Sequence, residues 1–473
     1  MEDKYNTYIK SIHKFESENH IGNFEFRNAE LWPLIRFKLF MKLFNKTSDV
    51  SHKKNLLSRA KFLLFTLFYN RSKTINQLQR TKYLFLGSEN ARRAFKKGKA
   101  YHIFFDALIE KYKIKNYAVL ELNNSFQKNQ KYSNNVFNID SLMMKNWLIA
   151  NILYFFTPSI SRQLNKLVDP WKFENSLIKK SEIKKMLHLA YLEYKVNSRT
   201  FKSIVNKTKP KILFFTCSYC YWNNMAVQFF NKLHITTIEL QHGVINNNHI
   251  GYIYPQKNFG YCVPSHFLVF GTKEYEILKD KLNSKIITEG NCYFQLIQNN
   301  DQFDKKDIGT TWPKLKNKKI ILVTSQGLTG NYLINFFDKV SDLLSQEYAI
   351  VYRLHQNERA NYNINTYRNL LLKKNVVVQI DDTISLPQML KQAKVHTSVF
   401  STVLEEAIAF SVPNIIIKYN GWKNAEYLIS KKLALVASSP AEFIELIRRI
   451  ETPPKNEADF FYTRESNTLK NIL

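Results

Sequence analysis

Between Lys394 and Lys418 the chain reads KVHTSVFSTVLEEAIAFSVPNIIIK, which gathers Ser398, Ser401 and Thr402 in a hydroxyl-rich turn and sets Glu405 and Glu406 just beyond it. Hydroxyls beside the unpaired N–H groups of a helix start suit a phosphate, because the helix dipole is positive there. The same residues also suit a plain cap, with Ser401 or Thr402 as N-cap and Glu405 near the N3 place of a capping box. This stretch alone leaves the two readings level. Ser325 and Gln326 follow the apolar run Lys319 to Thr324, and Arg353, His355 and Glu358 stand in YRLHQNE. An arginine fork holds phosphate oxygens, and a glutamate accepts hydrogen bonds from ribose hydroxyls. The bland alternative pairs Arg353 with Glu358 and leaves the glutamates on a solvated helix face. Three loops converging at strand ends favour a site. His242, between Gln241 and Gly243, follows the buried run Thr236 to Leu240. An imidazole there is suited to take a proton near neutral pH, though a lone histidine is as readily structural.

These residues are positioned by an alternation of apolar runs and helical stretches. In the first part the runs are Lys82–Gly87, Tyr117–Leu122, Lys211–Thr216, Thr236–Leu240, Phe267–Phe270 and Lys285–Thr288, with a helix over Met225–Leu233. In the second they are Lys319–Thr324, Ala349–Leu354, Asn375–Ile380, Val395–Val399, Asn414–Ile417 and Leu433–Val436. Regular alternation of this kind predicts parallel sheets wrapped by helices, with ligands at the carboxyl ends of the strands. The run ending at Gly87, followed by Ser88 and Glu89 and then by Arg92, Arg93, Lys96 and Lys97, reads as the opposite edge of a cleft. Residues 1 to about 80 read mainly as helix, with Pro33 in a first helical turn. Residues 123 to 206 read as polar linker and long helices, and Gln298 to Lys318 as the linker between domains. The organisation expected is therefore an N-terminal domain over 1–300 with helical insertions, a C-terminal domain over 301–455 and a tail over 456–473.

The 473 residues carry a formal net charge of +30, with 45% hydrophobic and 14% aromatic residues. That is a folded chain with an anionic partner, which nucleic acid, an anionic membrane or an acidic substrate would each satisfy. No dense basic block or nucleic-acid motif occurs, nor does a G-x-G-x-x-G or Walker loop. Cys217 and Cys220 form a C-x-x-C without a second pair at zinc spacing, so all four cysteines, with Cys262 and Cys292, are expected to be reduced. Asp381 and Asp382 have no third ligand in view and read as a turn, so no metal site is expected. No stretch reaches the roughly 18 uncharged apolar residues of a membrane span. Ala60–Tyr69 and Trp147–Ile160 place aromatic residues near basic ones, which suits either the headgroup layer of an anionic membrane or a pair of core helices.

The motifs LQHG (Leu240–Gly243), YRLHQNE (Tyr352–Glu358) and SVFSTVLEEA (Ser398–Ala407), with the Gly290–Asn291 turn before the second half, resemble those of GT-B glycosyltransferases. More narrowly they look like bacterial enzymes of capsule and surface polysaccharide synthesis, of the Kdo- and sialic-acid-transferring types, and distantly like teichoic acid glycerol-phosphate polymerases. The likeness covers roughly residues 210 to 450. Such families carry His-Pro where this chain has His355 and Gln356. The resemblance implies an α/β, GT-B-like fold of two Rossmann-like domains facing across a cleft, with extra helices in the N-terminal half. It implies transfer of a sugar, with a CMP-activated acidic sugar preferred, from a nucleotide donor to a surface polysaccharide or lipid-linked glycan, without metal or further cofactor. The catalytic candidates are then His242, Arg353 and His355. Ser325, Gln326, Ser398, Ser401, Thr402, Glu405 and Glu406 fall on the donor side, and Gln241, Gly243, Ser88 and Glu89 on the acceptor side. The place implied is cytoplasmic, at the inner face of the plasma membrane, with an anionic lipid surface as partner and no nucleic acid. The competing readings are a CDP-glycerol-type polyol-phosphate transferase and a basic nucleic-acid-binding protein.

Overall fold

The computed structural model describes residues 2–21, 24–47, 75–122, 130–171, 179–257, 260–299, 307–327, 329–355, 358–359, 362–381, 383–453, 459–463 and 466–473. The segment Ala60–Tyr69 lies outside these residues. Two parallel sheets organise the chain. The first has seven strands: β1 Tyr83–Ser88, β2 Tyr117–Leu122, β3 Val136–Asn138, β4 Ile212–Thr216, β5 Thr236–Leu240, β6 His266–Val269 and β7 Lys285–Thr288. Their order is β7-β6-β5-β4-β1-β2-β3, and every neighbouring pair is parallel. The second has six: β8 Lys319–Thr324, β9 Tyr348–Arg353, β10 Val376–Gln379, β11 Ala393–Ser398, β12 Asn414–Ile417 and β13 Ala434–Ala437. Their order is β10-β9-β8-β11-β12-β13, again parallel throughout. Each sheet thus grows outward in one direction from its first strand and then reverses, the doubly wound arrangement with a crevice where the order turns.

The helices used below are α1 Glu2–Asn19, α2 Leu31–Thr47, α3 Asp140–Phe156, α4 Pro158–Val168, α5 Lys180–Thr208, α6 Tyr221–Lys232, α7 Cys292–Asn299, α8 Gly330–Leu343, α9 Val403–Ala409 and α10 Pro440–Arg449. The extra helices α1 to α5 belong to the first domain. α1 turns Tyr8, Ile9, Ile12 and Glu16 inward. Glu16 meets the fully buried Arg36 of α2, whose guanidinium also donates to the carbonyls of Ile250 and Ile253. A buried charge is tolerated only when its donors are so satisfied. The pair thereby fastens the N-terminal helices to the loop that follows His242.

Three spans differ from the reading of the sequence, the first being residues 123–206, read as linker and helices but containing the short edge strand β3, Val136–Asn138. The polar stretch 298–318 is not linker throughout, since α7 runs to Asn299, and Ile308 and Leu315 are buried in the core of the second domain. Residues 459–473 return to the first domain: Phe461, Tyr462 and Leu469 share one apolar cluster with Phe85, Phe214 and Leu268. That cluster continues into Leu404, Ile408 and Ile416, so the domains meet over apolar ground beneath the cleft. Gly290 explains the close fit: its φ is +82°, and a Cβ there would lie 2.1 Å from the Thr463 carbonyl oxygen. Phe461 is fully buried, so Phe461→Ala is expected to destabilise the protein by about 3–5 kcal/mol. Urea unfolding measures this, and an unchanged midpoint would mean that the segment merely lies on the surface.

Candidate active site

Some of the polar residues singled out above meet at the carboxyl ends of both sheets, around a cavity of about 290 Å³ between the domains. From the first domain come His242, Gly243, Val244 and Asn291, and from the second Thr324, Ser325, Arg353, His355, Arg359, Ser401, Thr402 and Glu406. Ile103, Phe104, Tyr293 and Phe294 add an apolar wall. Among the described residues of the lining, Arg353 and Arg359 are the fixed positive charges and Glu406 the one acid, a balance that favours an anion.

The crevice of the second sheet lies between β8 and β11, where the Ser398 hydroxyl donates to the Thr324 carbonyl at 2.7 Å. Ser398 is therefore turned inward and ties the two strands together. Gln326 acts alike, accepting from the Phe400 amide at 3.1 Å and so pinning the hydroxyl turn. Ser325 reaches the cavity but its hydroxyl donates to Glu358 at 2.8 Å and accepts from Tyr352 at 3.0 Å. Glu358 also accepts from the His355 amide at 2.9 Å, shaping that turn rather than pairing with Arg353. Arg353 is steadied from the neighbouring strand, donating to Gln379 at 2.5 Å and to the Ile384 carbonyl at 3.3 Å. Arg359 donates from Nε to the Leu354 carbonyl at 3.0 Å.

At α9 the Val403 amide donates to Ser401 Oγ at 3.3 Å, while Thr402, the N-cap residue, makes no side-chain cap bond. The capping box, one of the two readings of this stretch, does not form, and Glu405 is drawn elsewhere. It is buried, accepts from Lys273 of the first domain and from Tyr427, and so braces the domain interface instead of facing a ligand. Glu274 beside it is pushed up to about 8 by burial and then by the charge of Glu405. Glu406 alone of the two glutamates lines the cavity.

On the opposite wall His242 stands in the loop after β5. Gln241 holds that loop, accepting from the Phe270 amide at 2.6 Å and donating to the Gly243 carbonyl at 2.9 Å. Tyr219 shares a hydrogen bond of 3.2 Å with His242 Nε2. Tyr219 lies inside a ring closed by a Cys217–Cys220 disulfide, which corrects the expectation of reduced cysteines for this pair. A C-x-x-C turn with its Cα atoms 5.5 Å apart allows a bridge as readily as two thiols. Cys262 and Cys292 are buried. Ser88 and Glu89 do not line the cavity. Ser88 caps the short turn after β1, accepting from the Asn90 amide at 3.3 Å. Asp381 accepts from the Thr383 amide at 3.0 Å, the turn expected of it, and Asp382 lies outside the described residues. Among the described residues no three His, Cys, Asp or Glu side chains are grouped to hold a metal ion.

Residues not singled out by the sequence also shape the site. Arg359 follows directly on the YRLHQNE stretch, so its signal was one residue away. Tyr462 enters the lining from the C-terminal segment, stacked on Phe270 at 5.1 Å. Asn291 caps α7, accepting from the Tyr293 amide at 3.0 Å. Glu239, fully buried behind His242, accepts from the Ser218 amide at 2.9 Å and from Tyr252 at 2.5 Å. Burial pushes its carboxyl up to about 7 against those hydrogen bonds. A carboxyl whose folded value exceeds its unfolded one contributes stability at low pH that is lost as pH rises through the folded value. Glu239→Gln is therefore expected to gain stability relative to wild type as pH rises from about 4.5 to about 7, reaching on the order of 3 kcal/mol. Thermal unfolding of both proteins from pH 5 to 8.5 measures it, and parallel curves would overturn the assignment.

Fold and site together define a GT-B-like α/β protein of two Rossmann-like domains with a polar, anion-receptive cleft between them. No protein-family model and no curated protein matches the sequence. Among solved structures, the chain is similar to Methanocaldococcus jannaschii UDP-GlcNAc 2-epimerase in complex with UDP-GlcNAc and UDP, at 11% identity and a TM-score of 0.48, covering 82% of this chain and 98% of that one. The wall teichoic acid polymerase TagF follows at 12% and 0.46, covering 89% and 90%, and the calicheamicin glycosyltransferase CalG4 at 10% and 0.41, covering 82% and 94%.

Proposed function

We propose that the protein is a glycosyltransferase that moves a sugar from a nucleotide donor to a surface polysaccharide or glycolipid acceptor. The observation that carries the reading is the pairing across one cavity of an Arg353, Arg359 and His355 wall with His242 opposite. The second domain takes the nucleotide, its diphosphate or monophosphate against the arginines, Ser401 and Thr402, with Glu406 toward the ribose. The first domain takes the acceptor. His242 accepts the proton of the acceptor hydroxyl as the new glycosidic bond forms. Arg353 and His355 neutralise the charge that grows on the departing phosphate as the donor's sugar–oxygen bond breaks, an electrostatic clamp that needs no divalent metal. The donor preferred is a CMP-activated acidic sugar, and the acceptor is met at the inner face of a bacterial plasma membrane. A CDP-linked polyol donor would fit the same wall and is the second reading; nucleic acid is not proposed as a partner.

A thermal-shift panel of the purified protein with CMP, CDP, UDP, GDP and dTDP, each with and without EDTA, tests this. A nucleotide at a hundredfold its dissociation constant adds about 2.7 kcal/mol of stability. One nucleotide class should raise the melting temperature, unaffected by EDTA. The absence of a shift with all five would overturn the reading, and release of CMP from a CDP-alcohol would favour the polyol phosphate.

A further inference from the structure

Helix α3 is mostly apolar, and its few polar residues, such as Lys145 and Asn151, do not gather into the polar face that a helix on a protein surface in water presents. One side is committed to the fold: Asn146 and Ala150 are buried against α5, and the Asn146 amide donates to Asn197 and Thr200 at 2.9 Å each. The opposite side should then be polar. Instead Phe155, placed at a half turn from Asn146, is 77% exposed, Phe156 77%, Ile152 57% and Trp147 45%, and Leu167 on α4 adds a further 45%. Exposed apolar side chains gathered in this way mark a contact surface.

We infer that this face of α3 and α4 docks on an anionic lipid bilayer, with Phe155, Phe156 and Trp147 entering the headgroup layer. Charge selects that partner. Over α3 and α4 the exposed charges are Lys145, Arg162 and Lys166; Asp140 at the start of α3 is buried, and Asp169 just after α4 is paired with Lys184 at 2.6 Å. Lys185 of α5 lies 5.8 Å from the centre of the Tyr154 ring. A face of one sign repels a second copy of itself but is drawn to anionic headgroups, at about 1 kcal/mol for each basic residue near the surface. Aromatic side chains with basic neighbours suit the boundary between headgroups and acyl chains. α3 follows β3, the edge strand of the first sheet, and that places the contact on the domain assigned to the acceptor. The inference rests on the membrane partner of the proposed function and names the surface that meets it.

The test is flotation of the full chain with vesicles of phosphatidylcholine alone and with added phosphatidylglycerol, comparing wild type with Phe155→Glu/Phe156→Glu. Both side chains are exposed, so the variant should fold. The expected result is binding that needs phosphatidylglycerol, weakens in high salt and falls about tenfold or more in the variant. Equal binding of the two proteins would overturn the inference in favour of charge located elsewhere, and binding by neither would overturn it outright. Sedimentation showing a wild-type dimer that the variant lacks would also overturn it, in favour of a second copy. The nucleotide thermal shift of the variant separates this outcome from the donor site: a shift kept while lipid binding is lost supports both, and a shift absent from wild type refutes the donor site alone.

Discussion

Replacing His242 by alanine should lower the turnover of sugar transfer by about 10²–10⁴ while the melting temperature and nucleotide affinity stay close to those of wild type. On the proposed function the reason lies in the division of the cavity: His242 comes from the first domain and the arginines from the second, so its loss would remove the proton acceptor without touching the proposed anion seat. Tyr219 separates two roles for the histidine. Its hydroxyl shares a hydrogen bond with Nε2, so Tyr219→Phe should leave the base in place but remove one contact that orients its ring. If His242 is the base, the phenylalanine variant keeps a measurable rate with a shifted pH profile, whereas the alanine variant loses the acidic limb of that profile. Full activity in folded His242→Ala would remove the histidine from the mechanism.

The second large effect is expected at the two arginines. Hydrogen bonds to charged groups contribute about 1.5–3 kcal/mol each, so Arg353→Ala and Arg359→Ala should each weaken nucleotide binding by roughly tenfold to a hundredfold. They should not weaken it by the same route. Arg353 is steadied by Gln379 and the Ile384 carbonyl, on elements beside its own strand, while Arg359 is held by the carbonyl of Leu354 in the turn it follows. Gln379→Ala should therefore reproduce part of the Arg353→Ala loss and add little on top of it. Calorimetric titration of the five nucleotides against the single and double variants measures this. Wild-type affinity in both arginine variants would mean that the anion is seated elsewhere.

The strands were legible because a parallel sheet covered on both faces demands unbroken apolar runs, and those runs end within a residue or two of the observed strands. Function at the strand ends was less legible. Ser398, Gln326 and Gln241 have the same side-chain chemistry as ligand-binding residues, yet each is spent on the backbone of a neighbouring loop. Nothing local in the sequence separates a polar group that greets a ligand from one that fixes the loop beside it. Glu405 and Glu406 make the point most sharply. They are adjacent, so a helix turns them about 100° apart, and one reaches Lys273 while the other lines the cavity. Tyr219 and Tyr462 owe their places to contacts across long chain separations, which a reading of local pattern does not reach.

The return of residues 459–473 to the first domain gives the chain two crossings between its halves, one after Asn299 and one after Ile450. A body hung from one strap can swivel about any axis, but a body hung from two keeps only rotation about the line that joins them. Leu404 and Ile408 of the second domain share one apolar cluster with Phe461, so the domains also meet over packed apolar side chains. Relative motion of the domains is accordingly expected to be more restricted than a single crossing would leave it. Two fluorescent labels, one on each domain, should report a narrow range of distances rather than a diffuse cloud.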